Sequence, residues 1–203
     1  MRKSRVGILA VVLTIGLLLL FAGPAQAQSG ITVTEGQSDT AWPETPDIET
    51  NFNYGSGTSS VSTTSRAAQT FTAPASGDLT LDKLMFRYKT SASATFTLTV
   101  QTVADPNGAS YTAGSNLVTN STFNLASTGG LSKVLTLDLT GGNEVALTAS
   151  QGYAVDLIAT SGSMTWYGRG SQGSTYAGGR SYINYAQRGT AGADNDMGVV
   201  LKP

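Results

Sequence analysis

Apolar and polar side chains alternate along most of the chain after residue 66, and this pattern limits the fold more than any other feature. It is clearest at 95–100 and 135–139, and it recurs at 153–158 and 197–201. A period of two places successive side chains on opposite faces of a β-strand. Behind the N-terminal apolar run, no window shows the 3.6-residue period of an amphipathic helix. The sequence therefore predicts an all-β protein.

Turn signals between these segments favour two packed sheets. Asp105-Pro106-Asn107-Gly108 is a strong turn sequence, and long loops are expected at 104–117, 122–133 and 168–180. Such loops suit a sandwich better than an up-and-down barrel. We expect a two-sheet antiparallel sandwich of jelly-roll or Greek-key type, built from eight to ten strands. A change of alternation phase at Asp82-Lys83 predicts a β-bulge.

The N-terminus has the three parts of a secretory signal peptide. A cationic start is followed by an apolar run over 6–22 and by small residues ending in Ala25-Gln26-Ala27. We expect cleavage after Ala27 and a secreted, extracellular, bacterial protein. A retained membrane anchor is the alternative, because the run reaches the short limit for spanning a bilayer.

Three segments are expected along the chain. Residues 1–27 form the signal peptide, 28–65 an extended or loop-rich N-terminal segment, and 66–203 the β-sandwich domain. Within the middle segment, Ile31–Thr34 is expected to form one short strand. Trp42 either packs onto the domain or awaits a ligand, and packing is the expected outcome.

The composition excludes several function classes. The chain has neither cysteine nor histidine, which removes disulfides, thiolate metal sites and every Ser-His or Cys-His nucleophile. The formal net charge is −1, and loss of the cationic N-terminus makes it more negative. Nucleic acid is therefore a poor partner, and so is a membrane once the signal peptide is removed. No cofactor is expected.

The densest group of aromatic and polar residues predicts a ligand site. A sugar presents an apolar face and a rim of hydroxyl groups, so its site needs an exposed ring beside hydrogen-bonding side chains. Alternatively, Trp166 belongs to the core and the tyrosines brace loops. The candidate residues are Trp166, Tyr167, Arg169, Tyr176, Arg180, Tyr182, Asn184, Tyr185 and Gln187.

Two carboxylate patterns predict other chemistry. Asp194, Asn195 and Asp196 supply oxygen atoms that suit a structural calcium ion, although they equally suit a turn that opens the last strand. Paired carboxylates could serve a glycosidase. However, the expected strand acids Asp82, Asp138 and Asp156 alternate outward, which favours solubilising charges.

Six short segments resemble the bacterial extracellular β-sandwich domains known as choice-of-anchor domains. They are AQTFT at 68–72, LTLDKL at 79–84, VAL at 145–147, GYAV at 152–155, YAGG at 176–179 and DMGV at 196–199. This family is similar in shape to galactose-binding-like and carbohydrate-binding modules. The resemblance implies a sandwich fold and an extracellular location. Such domains often end in a sorting tail, whereas this sequence stops at Lys202-Pro203, which favours a free secreted or self-assembling protein.

Three functions remain open from the sequence. The first is a non-catalytic binding module for a glycan or surface polysaccharide. The second is a structural, self-associating surface or matrix protein that assembles through 28–62. The third, a carboxylate-based glycoside hydrolase, has the least support, so the protein is not expected to be an enzyme. Exposed rings in a groove favour the first, and an extended N-terminal segment with unpaired strand edges favours the second.

Overall fold

The computed structural model describes residues 26–28, 30–37, 39–52, 57–77, 79–119, 121–169, 176–188 and 193–203. Most of the expected signal peptide lies outside these residues, and its expected cleavage point after Ala27 falls within the first described strand. The described residues contain no helix long and apolar enough to span a bilayer. The strands are β1 (Gln26–Gln28), β2 (Ile31–Gln37), β3 (Ile48–Asn51), β4 (Gly57–Ser62), β5 (Ala67–Thr72), β6 (Thr80–Lys89), β7 (Ala94–Val103), β8 (Thr122–Leu125), β9 (Lys133–Leu139), β10 (Val145–Ala146), β11 (Gly152–Ser161), β12 (Ser163–Arg169), β13 (Ser181–Ile183), β14 (Ala186–Gln187), β15 (Asp194–Asn195) and β16 (Met197–Lys202).

The strands form two antiparallel sheets, which confirms the predicted sandwich, but the described residues contain sixteen strands rather than the predicted eight to ten, because the N-terminal segment and several short bridging strands also pair. The first sheet has ten strands, with β1-β2-β9-β6-β12-β15 as its main path. On its branches β16 pairs with β3 and β6, β4 with β12, and β10 with β6. The second sheet runs β14-β13-β5-β11-β7-β8. Neighbours that are far apart in the chain, such as β5 and β11, require the long crossover connections of a Greek-key or jelly-roll fold.

The core lies between the two sheets and follows the predicted alternation. Phe96, Leu98 and Val100 on β7 are fully buried, and the threonines between them are partly exposed. From the first sheet, Phe86 and Trp166 meet edge to face with their ring centroids 4.9 Å apart. Each large buried side chain of this kind contributes roughly 1.5–3 kcal/mol to stability through loss of apolar contact with water.

The bulge predicted at Asp82-Lys83 is confirmed. Lys83 pairs with Val200 and Leu81 pairs with Leu201, so Asp82 is the extra residue on β6. One extra residue moves all later side chains to the opposite faces of the strand. Because of the bulge, Leu81 and the apolar residues after it all point into the core, although their alternation in the sequence has a different phase.

The N-terminal segment is part of the first sheet. The strand expected at Ile31–Thr34 is present and continues to Gln37, where it pairs with β9. The strands β3 and β4 pair with β16 and β12. Sequence alternation did not reveal β4, because one of its buried side chains is Ser59, whose hydroxyl donates to Asn195 Oδ1 at 2.8 Å. Trp42 packs against Phe52 of the same N-terminal segment, with ring centroids 4.6 Å apart.

Residues 39–47 cross the outer face of the first sheet. Glu44 is 3.0 Å from the Lys83 ammonium, and Asp39 is 3.6 Å from the Arg87 guanidinium. The backbone of Leu201 donates to the Asp47 carboxylate at 2.7 Å. These contacts join the segment to β6 and β16, whereas Thr58 and Ser60 of β4 are exposed.

Candidate functional site

The sandwich divides the predicted aromatic and polar cluster between its two sheets. Trp166 and Tyr167 lie on β12 in the first sheet, whereas Tyr182 lies on β13 in the second. Asn184 and Tyr185 form the turn between β13 and β14. The cluster is therefore continuous in sequence but does not form one site.

Two other candidate residues, Tyr176 and Arg180, hydrogen-bond to the protein backbone. The Tyr176 hydroxyl accepts from the Thr72 amide at 3.2 Å, and Arg180 Nη1 donates to the Gly179 carbonyl at 2.7 Å. Gln187 is the last residue of β14, and Arg169 lies on β12 with its side chain outside the described part.

Two of the candidate rings are fully buried and cannot face a ligand, Trp166 in the core between the sheets and Tyr182 under the loop over 104–117. Trp166 is 0% exposed, and its Nε1 donates to the Asp196 carbonyl at 2.8 Å. Tyr182 is also 0% exposed, and its hydroxyl donates to the Gly108 carbonyl at 2.8 Å. The prediction that Trp166 belongs to a ligand site is therefore wrong, and the alternative that it belongs to the core is correct. The prediction that Tyr182 belongs to the ligand site is also wrong.

Tyr167 points the other way from Trp166 because successive strand residues face opposite sides. It is partly exposed on the outer face of the first sheet. Arg87 Cζ lies 4.7 Å and Lys89 Nζ 5.7 Å from the centroid of its ring. Cations at such distances are attracted to the ring and hold its orientation.

Next to Tyr167, a row of polar residues crosses three strands. Thr165 on β12 pairs with Ser60 on β4 at one side and with Lys89 on β6 at the other. Residues directly opposite each other in a sheet share a face, so two hydroxyl groups and one ammonium group stand side by side. This row forms the floor of a pocket of about 260 Å³.

The pocket is lined by hydrogen-bonding groups that remain available. Besides the row, Thr90, Ser91 and Ser163 line it, with the turn at Gly130 as a wall. The Thr90 hydroxyl is engaged, since it donates to the carbonyls of Ala92 and Ser163. The lining hydroxyls that hydrogen-bond no protein group within the described part of the chain are those of Ser60, Ser91, Ser163 and Thr165.

The arginine that contacts the Tyr167 ring belongs to a buried ion pair. Arg87 is 9% exposed, and its Nη1 is 3.4 Å from the carboxylate of Asp196, which is 0% exposed. The Asp196 backbone accepts from Trp166 Nε1 and donates to the Tyr167 carbonyl at 2.8 Å. Hydrogen bonds to β12 thus hold Asp196 in place, and its ion pair holds the Arg87 guanidinium against the Tyr167 ring.

The three residues suggested as calcium ligands take different protein partners. Asp194 Oδ2 accepts from the Tyr176 amide at 3.2 Å, and the Asn195 side chain bonds Ser59 and the Ala68 carbonyl. Asp196 pairs with Arg87. Among the described residues, no group of three or more acidic side chains is placed to hold a metal ion. Of the three, Asn195 connects the two sheets, through Ser59 on β4 and Ala68 on β5.

Of the predicted outward acids, Asp82 has an ion-pair partner. Lys202 lies 2.9 Å from Asp82 and 2.6 Å from Glu144. Burial raises the pKa of Asp138, Asp82 raises it further, and Lys83 opposes the shift. Lysine and carboxylate side chains thus alternate at this end of the face, as expected for a solubilising surface.

Asp156 differs from the solubilising role predicted for it. It lies on the outer face of the second sheet but is 0% exposed, because the loop over 104–117 covers it. Tyr111 of that loop donates its hydroxyl to Asp156 Oδ2 at 2.6 Å, and Arg66 Nη1 is 3.3 Å from Oδ1. Burial raises the pKa of Asp156 to about 6, although Tyr111 and Arg66 both act to lower it. A loop that covers a strand face cannot be read from the alternation of that strand.

The turn beside this acid holds another partly exposed tyrosine. Asn184 and Tyr185 have φ values of 49° and 70°, as in the two-residue type I′ turn of a hairpin. A tyrosine in this region costs roughly 1–2 kcal/mol. The Tyr185 ring meets Tyr111 edge to face at 5.3 Å, and Arg66 lies 5.1 Å from its centroid. These contacts offset the strain and make the turn a bracing element for the loop.

The covered acid predicts an unusual pH dependence of stability. Because the folded-state pKa of Asp156 lies above its ordinary value, the native state binds this proton more tightly between about pH 4 and about pH 6. The unfolding free energy should therefore fall as pH rises through this range, by up to about 3 kcal/mol from this group. Urea unfolding at both pH values should show that Asp156→Asn lacks this component. Equal pH dependence in the variant and the parent would contradict it.

Sequence reasoning identified Tyr167 but missed the residues around it. The bulge at Asp82 places Arg87 and Lys89 outward, and the change of alternation phase in the sequence predicted that bulge. The pairing of β12 with both β4 and β6 could not be predicted from local patterns, because it joins residues more than 70 positions apart.

The chain matches no protein-family model, no curated protein and no solved structure.

Proposed function

We propose that the protein is a non-catalytic extracellular binding module for a glycan or surface polysaccharide, and that it binds with the outer face of the first sheet. One observation carries this proposal: the partly exposed ring of Tyr167 stands beside a pocket lined by unengaged hydroxyl groups. Secretion rests on the N-terminal sequence.

The geometry suits a sugar for two reasons. The ring offers an apolar surface for the C–H face of a pyranose, and Ser60, Ser163 and Thr165 offer donors and acceptors for its hydroxyls. The pocket, at about 260 Å³, lies just below the roughly 300–1,000 Å³ typical of sites for drug-sized ligands. It therefore suits one sugar unit of a longer chain, with the open face accommodating the rest.

The self-assembling alternative has less support. Its expected sign was an extended N-terminal segment with unpaired strand edges. In the described residues, β2 pairs on both sides, with β1 and β9, so the segment is built into the sheet rather than extended away from it. Among the described strands, β1, β3 and β4 pair on one side only, so the expected unpaired edges are present.

Replacing Tyr167 with alanine tests the proposed function. Loss of the stacking surface should weaken binding to the strongest-binding member of an immobilised oligosaccharide panel by about fivefold or more. The unfolding free energy should change by about 1 kcal/mol or less, because the ring is partly exposed and mainly contacts cations. Surface plasmon resonance and urea unfolding measure the two effects.

Tyr185→Ala is the matched control. Tyr185 is also a partly exposed tyrosine beside an arginine, but it lies on the second sheet. Binding should be unchanged in this variant. The proposal fails if the unsubstituted protein binds no member of the panel, or if Tyr185→Ala weakens binding and Tyr167→Ala does not.

A further inference from the structure

Lys89 gives the pocket a positive charge that no nearby carboxylate offsets. It is the one charged residue among the described residues that line the pocket. Two other lysines of this sheet are paired, Lys83 with Glu44 and Lys202 with Asp82. Within the described part of the chain, no carboxylate lies within ion-pair distance of the Lys89 ammonium.

The neighbours of Lys89 add hydrogen-bond donors rather than negative charge. Thr165 and Ser60 continue the row away from the ammonium, and each hydroxyl can donate a hydrogen bond. Arg87 also contacts the Tyr167 ring, but its charge is largely offset by its ion pairs with Asp196 and Asp39. An anionic group placed in the pocket would meet one ammonium and several hydroxyls, which is the pattern of a charge-assisted site.

The opposite end of the same face has the opposite character. Asp82, Asp138, Glu44 and Glu144 gather there, interleaved with lysines. An acidic polymer lying on this face would therefore be attracted toward the pocket end and repelled from the other. The separation of charge along the sheet gives such a ligand one preferred position.

We propose that this pocket takes the acidic group of the glycan, a uronic acid carboxylate or a sulfate ester, with Lys89 as its counter-ion and Ser60 and Thr165 as donors. The inference rests on the proposed function and narrows it from glycans in general to acidic ones. Tyr167 would contact the ring of the same or the adjoining sugar.

Matched pairs of saccharides test the charge. The probes are oligogalacturonate against its methyl ester, and dextran sulfate against dextran, each titrated by calorimetry into the mature protein. At least one acidic probe should bind about tenfold more tightly than its neutral partner, and raising the salt concentration should reduce the difference. Which pair shows the larger ratio distinguishes carboxylate from sulfate. Sodium sulfate alone serves as the third arm, and binding as tight as that of the acidic saccharides would overturn the assignment to a glycan.

Lys89 variants locate the effect. Lys89→Met keeps the apolar stem and should remove most of the preference for the acidic probe, whereas Lys89→Arg should retain it. Lys202→Met removes a cation from the other end of the face and should leave the preference unchanged. Circular dichroism and urea unfolding confirm that each variant is folded.

The outcomes separate this inference from the proposed function. Equal binding of acidic and neutral partners, or an unchanged preference in Lys89→Met, overturns the acidic assignment while glycan binding stands. Absence of binding to every saccharide overturns the proposed function, and the acidic assignment falls with it.

Discussion

Replacement of Trp166 by alanine should destabilise the protein by about 3–5 kcal/mol, measured by urea unfolding. The side chain is fully buried, it meets Phe86 edge to face, and its Nε1 donates to Asp196. Removing it leaves a large cavity between the sheets and takes one hydrogen-bond donor from the Asp196 carbonyl.

Two variants separate the sources of this loss. Trp166→Phe keeps an aromatic ring in the core but loses the hydrogen bond, so we expect a smaller loss of about 1–3 kcal/mol. Tyr167→Ala, one position along, should be nearly neutral for stability. A loss below 1 kcal/mol in Trp166→Ala would mean that this side chain is not in the core.

Arg87→Met should also cost about 3–5 kcal/mol, because it removes the cation that pairs with the buried Asp196 carboxylate. Asp196 is 0% exposed and Arg87 is 9% exposed, so water compensates neither charge well. Thermal and urea unfolding at neutral pH measure the effect. In the double variant Arg87→Met/Asp196→Asn the buried carboxylate charge is removed as well, and part of the stability should return.

Lys83→Met is the control for this pair. Lys83 lies on the same strand and face, but its ion pair with Glu44 is partly exposed, with side-chain exposures of 26% and 38%. Exposed pairs contribute about 0–1 kcal/mol, so this variant should be close to the parent. Similar losses for Lys83→Met and Arg87→Met would show that the Arg87 pair is not buried in solution.

Local patterns in the sequence predicted the fold well where one face of a strand is apolar. Residues 95–100 alternate as their burial does, and the bulge at Asp82 followed from a phase change. Over 135–139 the apolar residues are buried as predicted, but Thr136 between them is buried as well. The strand β4 escaped, because its inward positions include Gly57 and Ser59, which carry little apolar signal. Buried hydrogen bonding, not apolar surface, holds that part of the strand in place.

The candidate site was less predictable, because it depends on contacts between distant parts of the chain. Neighbouring aromatics look alike in sequence, yet Trp166 faces the core and Tyr167 faces solvent. Lys89 joins the site only because β6 lies beside β12. Asp156 shows the same limit: its alternation places it outward, but a loop 45 residues away in sequence, carrying Tyr111, buries it.

Mapping of amide chemical-shift changes by NMR tests the central claim most directly. Oligogalacturonate, or the strongest-binding member of the oligosaccharide panel, is titrated into the isotope-labelled mature protein. The outer-face site predicts that the largest changes group at 58–60, 89–91 and 163–167, where β4, β6 and β12 adjoin the pocket. Changes grouped instead around Tyr111 and 184–187 on the second sheet, or no changes at all, would contradict it.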